Sequence, residues 1–270
     1  MTVDIRPSPI AGTWYPGSAE SLRLALDSYL GDAPESSYEA LYGVMVPHAG
    51  MRFSGSVAGS AFRHLIGRRY DVVVVISPSH HRYPHALLTS GHDAFRTPSG
   101  VVPIAKESLE ALRKKIDMLP VRDDEEHAIE IELPFLQYTL GDFHLLPFAM
   151  IDQSYAAAKT LAGALTDVLT GRNVLYVASS DLSHFYDQKM ANSLDRVVLD
   201  AIAVYDAAEV IAVEDERRGF ACGRGAIATV MMAARESGAS VATIEAYATS
   251  GDTFGDYSRV VGYGAATFHN

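Results

Sequence analysis

The sequence predicts an α/β fold, namely a three-layer α/β/α sandwich that forms a single domain over residues 1–270 around a mixed, mainly parallel sheet. Short, continuous apolar runs, which are typical of strands covered on both faces, occur at 42–47, 71–76, 144–151, 173–179, 240–248 and 259–268. Stretches with helical periodicity occur at 18–30, 127–140, 155–169 and 191–205. The alternation of the two patterns favours a sheet that lies between layers of helices.

Composition and connections agree with one domain. The chain has 270 residues, of which 48% are hydrophobic and 20% are charged, a balance that is typical of a folded protein with a large core. Ser18 precedes the first helical pattern and is a good N-cap. Residues 31–40 look like a surface connection, and no Pro/Gly/Ser linker divides the chain.

Charge and hydropathy exclude several classes of partner. The net charge of -11 argues against nucleic acid, because phosphate binding needs clustered Lys and Arg. The short basic runs at 63–69 and 113–115 are predicted to be solvated helix faces. No apolar stretch approaches the roughly 20 residues that span a bilayer, and the first residues lack the apolar core of a signal peptide. A single cysteine, Cys222, excludes an internal disulfide. We expect a cytoplasmic protein without a membrane partner.

Three of the predicted strands run directly into polar residues that include histidine. His48 follows the run 42–47, His80 and His81 follow 71–76, and Asp181 and His184 follow 173–179. In parallel sheets, ligands bind beyond the carboxyl ends of the strands. A lone histidine at such a place is most often structural, but three strand ends that carry one predict a joint site.

Cys222 lies just before an apolar, helix-forming stretch, between Ala221 and Gly223. A helix N-terminus favours the thiolate form of a cysteine, although a buried, inert thiol is the simpler interpretation. Two imidazoles and one thiolate suit Fe(II), copper or Zn(II) and are poor ligands for Mg²⁺ or Ca²⁺.

Two further pairs have the spacing of cooperating side chains. His127 and Glu130 are at positions i and i+3 of a predicted helix, where they would share a face and act as base and orienter or support a ligand. Asp181 could orient an imidazole such as His184, or it could be a turn carboxylate.

Phosphate-loop, dinucleotide-binding, serine-hydrolase and HExxH motifs are absent from the sequence.

Seven strings together resemble the Memo family, also called AmmeMemoRadiSam system protein B, over essentially the whole chain. They are AGTWYPGS, VPHAGMRFSGSVA, SPSHH, EHAIEIELPFL, SSDLSH, ACGRG and SGDTFGDYSRVVGYGA. The resemblance implies a fold similar to class III extradiol dioxygenases, which cleave catechol rings with O₂ and bind Fe(II) through two His and one Glu.

The resemblance also implies roles for particular residues. Positions that match His48, His80 and Cys222 form the metal site of the family, with a thiolate in place of the dioxygenase carboxylate. His184 matches the acid/base histidine of the dioxygenases. The other matching positions near the cleft are His81, His127, Glu130 and Asp181. Genomic association in the family suggests a link with an AMMECR-type protein and a radical SAM enzyme.

Three functions remain open at this point. The first is a metal-binding redox protein, an oxidoreductase similar to non-haem dioxygenases, with one Fe(II) or copper ion, or Zn(II) as the third candidate, and a small-molecule or peptide ligand in the metal cleft. The second is a non-catalytic adaptor that binds a peptide or phosphopeptide in the same cleft, with positive potential from Arg224, the helix N-terminus and the histidines. The third is metal-free chemistry with Cys222 as the nucleophile.

Overall fold

The computed structural model describes residues 3–31 and 38–270, so residues 32–37 of the predicted connection lie outside the described part. Its strands are β1 (Ile5–Arg6), β2 (Leu41–Val46), β3 (Val72–Pro78), β4 (Leu87–Ser90), β5 (Ala94–Thr97), β6 (Gly100–Pro103), β7 (Leu119–Val121), β8 (His144–Met150), β9 (Val174–Ser179), β10 (His184–Tyr186), β11 (Val241–Thr249) and β12 (Val260–His269). Its helices are α1 (Ala19–Leu30), α2 (Met51–Phe62), α3 (Lys106–Arg113), α4 (Leu133–Leu140), α5 (Tyr155–Val168), α6 (Gln188–Ala203), α7 (Ala207–Asp215), α8 (Arg224–Glu236) and α9 (Ser250–Phe254).

The main sheet has the strand order β10-β12-β2-β9-β3-β8-β4-β7, and β11 pairs with β12. Its four central strands, β2, β9, β3 and β8, are parallel to one another. Antiparallel pairs occur toward both edges, between β2 and β12 and between β8 and β4. A smaller sheet contains β1, β5 and β6. The predicted mixed, mainly parallel sheet is confirmed.

Helices cover both faces of the main sheet. On one face α8 packs on β2, β3 and β9, with α5 and α7 beside it, and on the other α2 packs on β2, β11 and β12, with α1 and α4 beside it. Every residue of Val72–Pro78 is consequently buried. The buried leucines of α1, Leu22, Leu26 and Leu30, are spaced four residues apart, as on one helix face. The predicted three-layer architecture is confirmed.

The strands and helices predicted from periodicity form with one partial exception. The basic runs 63–69 and 113–115, predicted to be helix faces, lie mostly in turns that follow α2 and α3. All six predicted strands are present close to their expected bounds, and Ser18 caps α1 by accepting a hydrogen bond from the backbone N–H of Ser21 at 3.3 Å. The helix predicted over 127–140 is wrong in its first part. A short 3₁₀ turn, Glu130–Glu132, comes first, and the α-helix begins only at Leu133.

The order of the central strands positions the candidate site. β2, β9 and β3 are adjacent and parallel, so their carboxyl ends lie at the same edge of the sheet. The residues that follow them, His48, Asp181 and His80, are therefore brought together, as the sequence predicts.

Candidate metal centre

His48 is buried at the end of β2, and both of its ring nitrogens have neighbours. Nδ1 lies 2.9 Å from Oγ of Ser179, and Nε2 lies 3.2 Å from Sγ of Cys222. Burial lowers the pKa of His48 well below its usual value, helped by the neighbouring imidazoles of His127 and His80. The ring is therefore neutral, and a proton on Nδ1 donated to Ser179 leaves the Nε2 lone pair directed toward the sulfur.

His80 is 36% exposed and is held by Glu126. Nδ1 of His80 lies 2.9 Å from Oε1 of Glu126, and the backbone N–H of His80 donates to Oε2 at 2.7 Å. This hydrogen bond raises the pKa of His80. Burial alone would raise the pKa of Glu126, but the hydrogen bond and charge of His80 hold it well below its usual value. The carboxylate thus fixes the ring and leaves Nε2 as the free nitrogen.

Cys222 lies where the chain approaches the start of α8. Its sulfur accepts a hydrogen bond from the backbone N–H of Asp181 at 3.2 Å. The glycine that follows is required for this approach, because a Cβ on Gly223 would lie 2.8 Å from the backbone oxygen of Ser179. Burial raises the pKa of the Cys222 thiol, and the nearby Asp181 carboxyl adds to the effect. The expected thiolate at a helix N-terminus is therefore not favoured by these surroundings alone.

These three side chains form a compact set of donors. Ligand atoms of His48, His80 and Cys222 all lie within 4.8 Å of one another. Each histidine has an Nδ1 that is fixed by a hydrogen bond, which leaves Nε2 as the nitrogen for a metal. Nε2 of His48 already lies beside the Cys222 sulfur. Two imidazoles and one sulfur fit Fe(II), copper or Zn(II).

A second group shares His80 with the first. Atoms of His80, Glu126 and His127 also lie within 4.8 Å of one another, and the rings of His80 and His127 stack at 4.7 Å. Oε1 of Glu126, however, also accepts the backbone N–H groups of His127 and Ala128 at 2.9 and 3.1 Å. This carboxylate already accepts hydrogen bonds from the backbone of the loop. The first group, His48, His80 and Cys222, is therefore the better candidate centre.

Asp181, His127 and His184 line the same cleft as His48 and His80. Burial raises the pKa of Asp181 to about 7 and lowers the pKa of His127 to about 4. Burial also lowers the pKa of His184. His127 and His184 are thus neutral at pH 7, and a neutral imidazole can accept a proton from a ligand.

Two residues expected near the ligand lie elsewhere, and a third is exposed beside the cleft. Glu130 does not pair with His127, because its buried carboxylate accepts hydrogen bonds from Arg6 at 2.6 Å and Tyr15 at 2.7 Å. Arg224 binds Asp215 on α7 at 2.6 Å and is not among the residues that line the cleft. His81 is exposed and is likewise not among them.

The cleft beside the candidate centre has a volume of about 550 Å³. The lining residues that the sequence did not single out are mainly aromatic or cationic: Trp14, Arg52, Phe53, Phe185, Arg259 and Tyr263. Trp14 packs on the ring of His127, with centroids 4.2 Å apart. Glu126 was also missed, although the string EHAIEIELPFL begins with it.

Comparisons with known proteins agree on one family. The family described as Memo-like protein matches residues 6–267. A MEMO1 family protein of Methanopyrus kandleri is 36% identical over 97% of this chain and 98% of its own length. A second, from Methanococcoides burtonii, is 37% identical over 97% of this chain and 98% of its own length. A third, from Nitrosopumilus maritimus, is 32% identical over 98% of this chain and 99% of its own length.

A solved structure supports the fold. An uncharacterized protein of Escherichia coli K12 matches with a TM-score of 0.54 over 84% of this chain and 99% of its own, at 12% identity. This likeness supports the α/β fold described above. Within residues 3–31 and 38–270, no helix has the length and apolarity to cross a membrane. The family model matches nearly the whole chain, and the relatives match it over nearly their whole length. The chain therefore belongs to the Memo family.

Proposed function

We propose that this protein binds one metal ion through His48, His80 and Cys222 and acts as an oxidoreductase on a ligand in the adjoining cleft. The redox-active ions Fe(II) and copper are the first candidates, and the redox-inert Zn(II) is the third. One observation carries the proposal. The Cys222 sulfur lies 3.2 Å from Nε2 of His48, while both candidate histidines are fixed through Nδ1 by other side chains. Fixed imidazoles of this kind are typical of metal ligands.

The chemistry of the donors supports a transition metal. Three protein ligands leave coordination positions for substrate or O₂, and a bound ion there would supply electron transfer and Lewis acidity. A thiolate donor favours softer ions more than the carboxylate of the related dioxygenases does. The Cys222 thiol has to lose its proton when a metal binds, so binding is expected to release protons.

Other residues would orient the donors and move protons. Ser179 holds Nδ1 of His48, and its hydroxyl in turn lies 2.8 Å from Oε1 of the buried Glu132. Asp181 accepts the backbone N–H of His48 at 2.8 Å, which positions that residue. His184, neutral at pH 7, is the group in the cleft proposed to accept a proton from a ligand.

The two other functions predict different behaviour. The surroundings of Cys222 raise rather than lower the pKa of its thiol, which argues against a free nucleophile. A peptide-binding adaptor would use the same cleft, and its ligand binding would survive the loss of Cys222. An oxidoreductase would lose metal-dependent oxidation of its substrate with the same substitution.

Anaerobic metal titration tests the proposal. Protein offered Fe(II), Cu(I) or Zn(II) should take up one ion per chain, and His80→Ala and Cys222→Ser should each lose most of the affinity. His144→Ala is a matched control, because His144 is exposed at the start of β8, at the opposite end of that strand from the candidate centre. The proposal is overturned if none of the three ions binds stoichiometrically, or if both site variants bind like the control.

A further inference from the structure

We propose that the cleft selects anionic small molecules with a flat, apolar body, and that Arg52 and Arg259 bind the negative group. The inference rests on the proposed function, since it names the substrate class of the same site. Both guanidinium side chains line the cleft together with His48, His80 and His184. A carboxylate and a phosphate ester share the required chemistry, because both accept charge-assisted hydrogen bonds from guanidinium groups.

Arg52 lies in the first turn of α2, at the mouth of the cleft. Its guanidinium lies over the rings of Phe53 and Phe254, at 4.6 and 5.5 Å from their centroids. The two rings are 4.4 Å apart. Among the described residues, no carboxylate oxygen lies within 4.0 Å of the Arg52 guanidinium, which is the distance of an ion pair. The aromatic platform therefore holds the cation without neutralising it.

Arg259 immediately precedes β12 and has a similar environment. Its guanidinium lies 5.4 Å from the centroid of Phe185, a ring that also lines the cleft. In the described part of the chain it too has no carboxylate partner at ion-pair distance. Two elements that are distant in sequence thus each bring an unneutralised cation to one cleft.

The two cleft arginines stand in an acidic protein. The chain has 33 acidic and 22 basic residues, and some arginines elsewhere pair with carboxylates, for example Arg6 with Glu130, Arg218 with Glu209 and Arg224 with Asp215. The acidic group of the cleft lining, Asp181, is buried and accepts the backbone N–H of His48. Positive charge is therefore concentrated where a ligand would enter, against an acidic background.

The remaining walls suit a flat ligand body. Trp14, Phe53, Phe185 and Tyr263 supply aromatic surface, and a volume of about 550 Å³ accommodates a small organic molecule. The positive end of α2, which begins at Met51 beside the cleft, adds to the attraction for an anion. A neutral ligand of the same shape would gain only the aromatic contacts.

The single tryptophan makes the test direct. Trp14 lines the cleft, so its fluorescence reports on ligand binding there without interference from another tryptophan. Benzoate, phenyl phosphate and the neutral benzamide are titrated into the full chain, with calorimetry as a second measurement of each affinity. The variants are Arg52→Gln and Arg259→Gln, and the control is Arg196→Gln, an exposed arginine on α6 that pairs with Asp200.

We expect at least one of the two anions to bind about tenfold more tightly than benzamide, and each cleft variant to lose about tenfold in anion affinity with benzamide affinity unchanged. The stronger of benzoate and phenyl phosphate identifies carboxylate or phosphate as the group recognised. Equal affinity for the anions and benzamide, or anion affinity that both cleft variants retain, overturns the inference.

Metal uptake by the same samples separates the two proposals. Anion selection by a protein that takes up no metal would leave the cleft assignment standing and overturn the metal-dependent function. Stoichiometric metal uptake without anion selection would leave the metal-dependent function standing and overturn the cleft assignment. Neither Arg52 nor Arg259 is a candidate ligand, so their variants are expected to bind metal like the wild-type protein.

Discussion

The sulfur of Cys222 lies 3.2 Å from Nε2 of His48, although 174 positions separate the two residues in the chain. The contact forms because β2 and β9 are adjacent, and the loop after β9 lies against the start of α8. Asp181, in that loop, donates its backbone N–H to the sulfur. A thiol and an imidazole in contact at a sheet edge are the central feature of the candidate centre.

Alkylation measures whether this thiol is a metal ligand. Burial raises the pKa of Cys222, and only the thiolate attacks iodoacetamide, so the metal-free folded protein should react at pH 7 much more slowly than the unfolded chain. Bound metal should slow the reaction further, and a chelator should restore the metal-free rate. Mass spectrometry of the single cysteine follows each reaction. Fast alkylation of the folded metal-free protein would instead favour a free nucleophile.

Glu126→Gln should weaken metal binding by about 10- to 100-fold. The Glu126 carboxylate accepts N–H groups of His80, His127 and Ala128. An amide would bring its own N–H groups toward these donors and release the ring of His80. Competition with a chelator gives the affinity, and Glu125→Gln, at an exposed position, is the matched control. Unchanged affinity in Glu126→Gln would show that the carboxylate does not orient a metal ligand.

Glu130→Gln should reduce stability and leave the centre intact. The substitution removes one charge of a buried pair with Arg6, although Asp124 still neutralises Arg6. It should lower the free energy of unfolding by about 1–3 kcal/mol. Folded Glu130→Gln should still bind metal stoichiometrically, because its carboxylate contacts Arg6, Ser8 and Tyr15. Denaturant titration and metal analysis check the two parts. Loss of metal binding by the folded variant would instead show that Glu130 supports the metal centre.

Glu245 should make stability depend on pH in the acidic range. Burial works to raise its pKa, but hydrogen bonds with His64, Tyr38 and Thr267 outweigh burial and lower it from the usual 4.5. Because the folded pKa is below the unfolded one, the carboxylate contributes stability fully above pH 4.5, and the contribution is lost as pH falls through the folded pKa. Unfolding curves between about pH 3 and 6 should therefore vary less with pH in Glu245→Gln than in the wild-type protein. Identical pH dependence in both would contradict this assignment.

The sheet and its polar edge could be predicted because their signals are local. The run from Val72 to Ile76 is apolar without interruption, which indicates burial on both faces, and His80 follows it within a few residues. Helix α2 was missed for a physical reason. Its buried face uses small residues, and Gly59 lies so close to the backbone of Tyr29 that a Cβ would clash at 2.2 Å. Such a face has few large apolar side chains to mark it in the sequence.

Side-chain partners in distant parts of the chain could not be predicted from local spacing. The His127 and Glu130 spacing indicated a shared helix face, but a turn separates them and Arg6, 124 positions away, pairs with Glu130. Arg224 likewise pairs with Asp215 rather than with a ligand. Arg52 and Arg259 have no local spacing that links them, and only the folded chain shows that both line one cleft.

X-ray absorption at the metal edge tests the central claim most directly. For protein loaded anaerobically with Fe(II), Cu(I) or Zn(II), we predict one sulfur and two nitrogen neighbours. In the zinc form they should lie at about 2.3 Å and about 2.0–2.1 Å. In Cys222→Ser the sulfur neighbour should disappear. A spectrum without a sulfur neighbour, or one that Cys222→Ser leaves unchanged, would contradict a centre built from His48, His80 and Cys222.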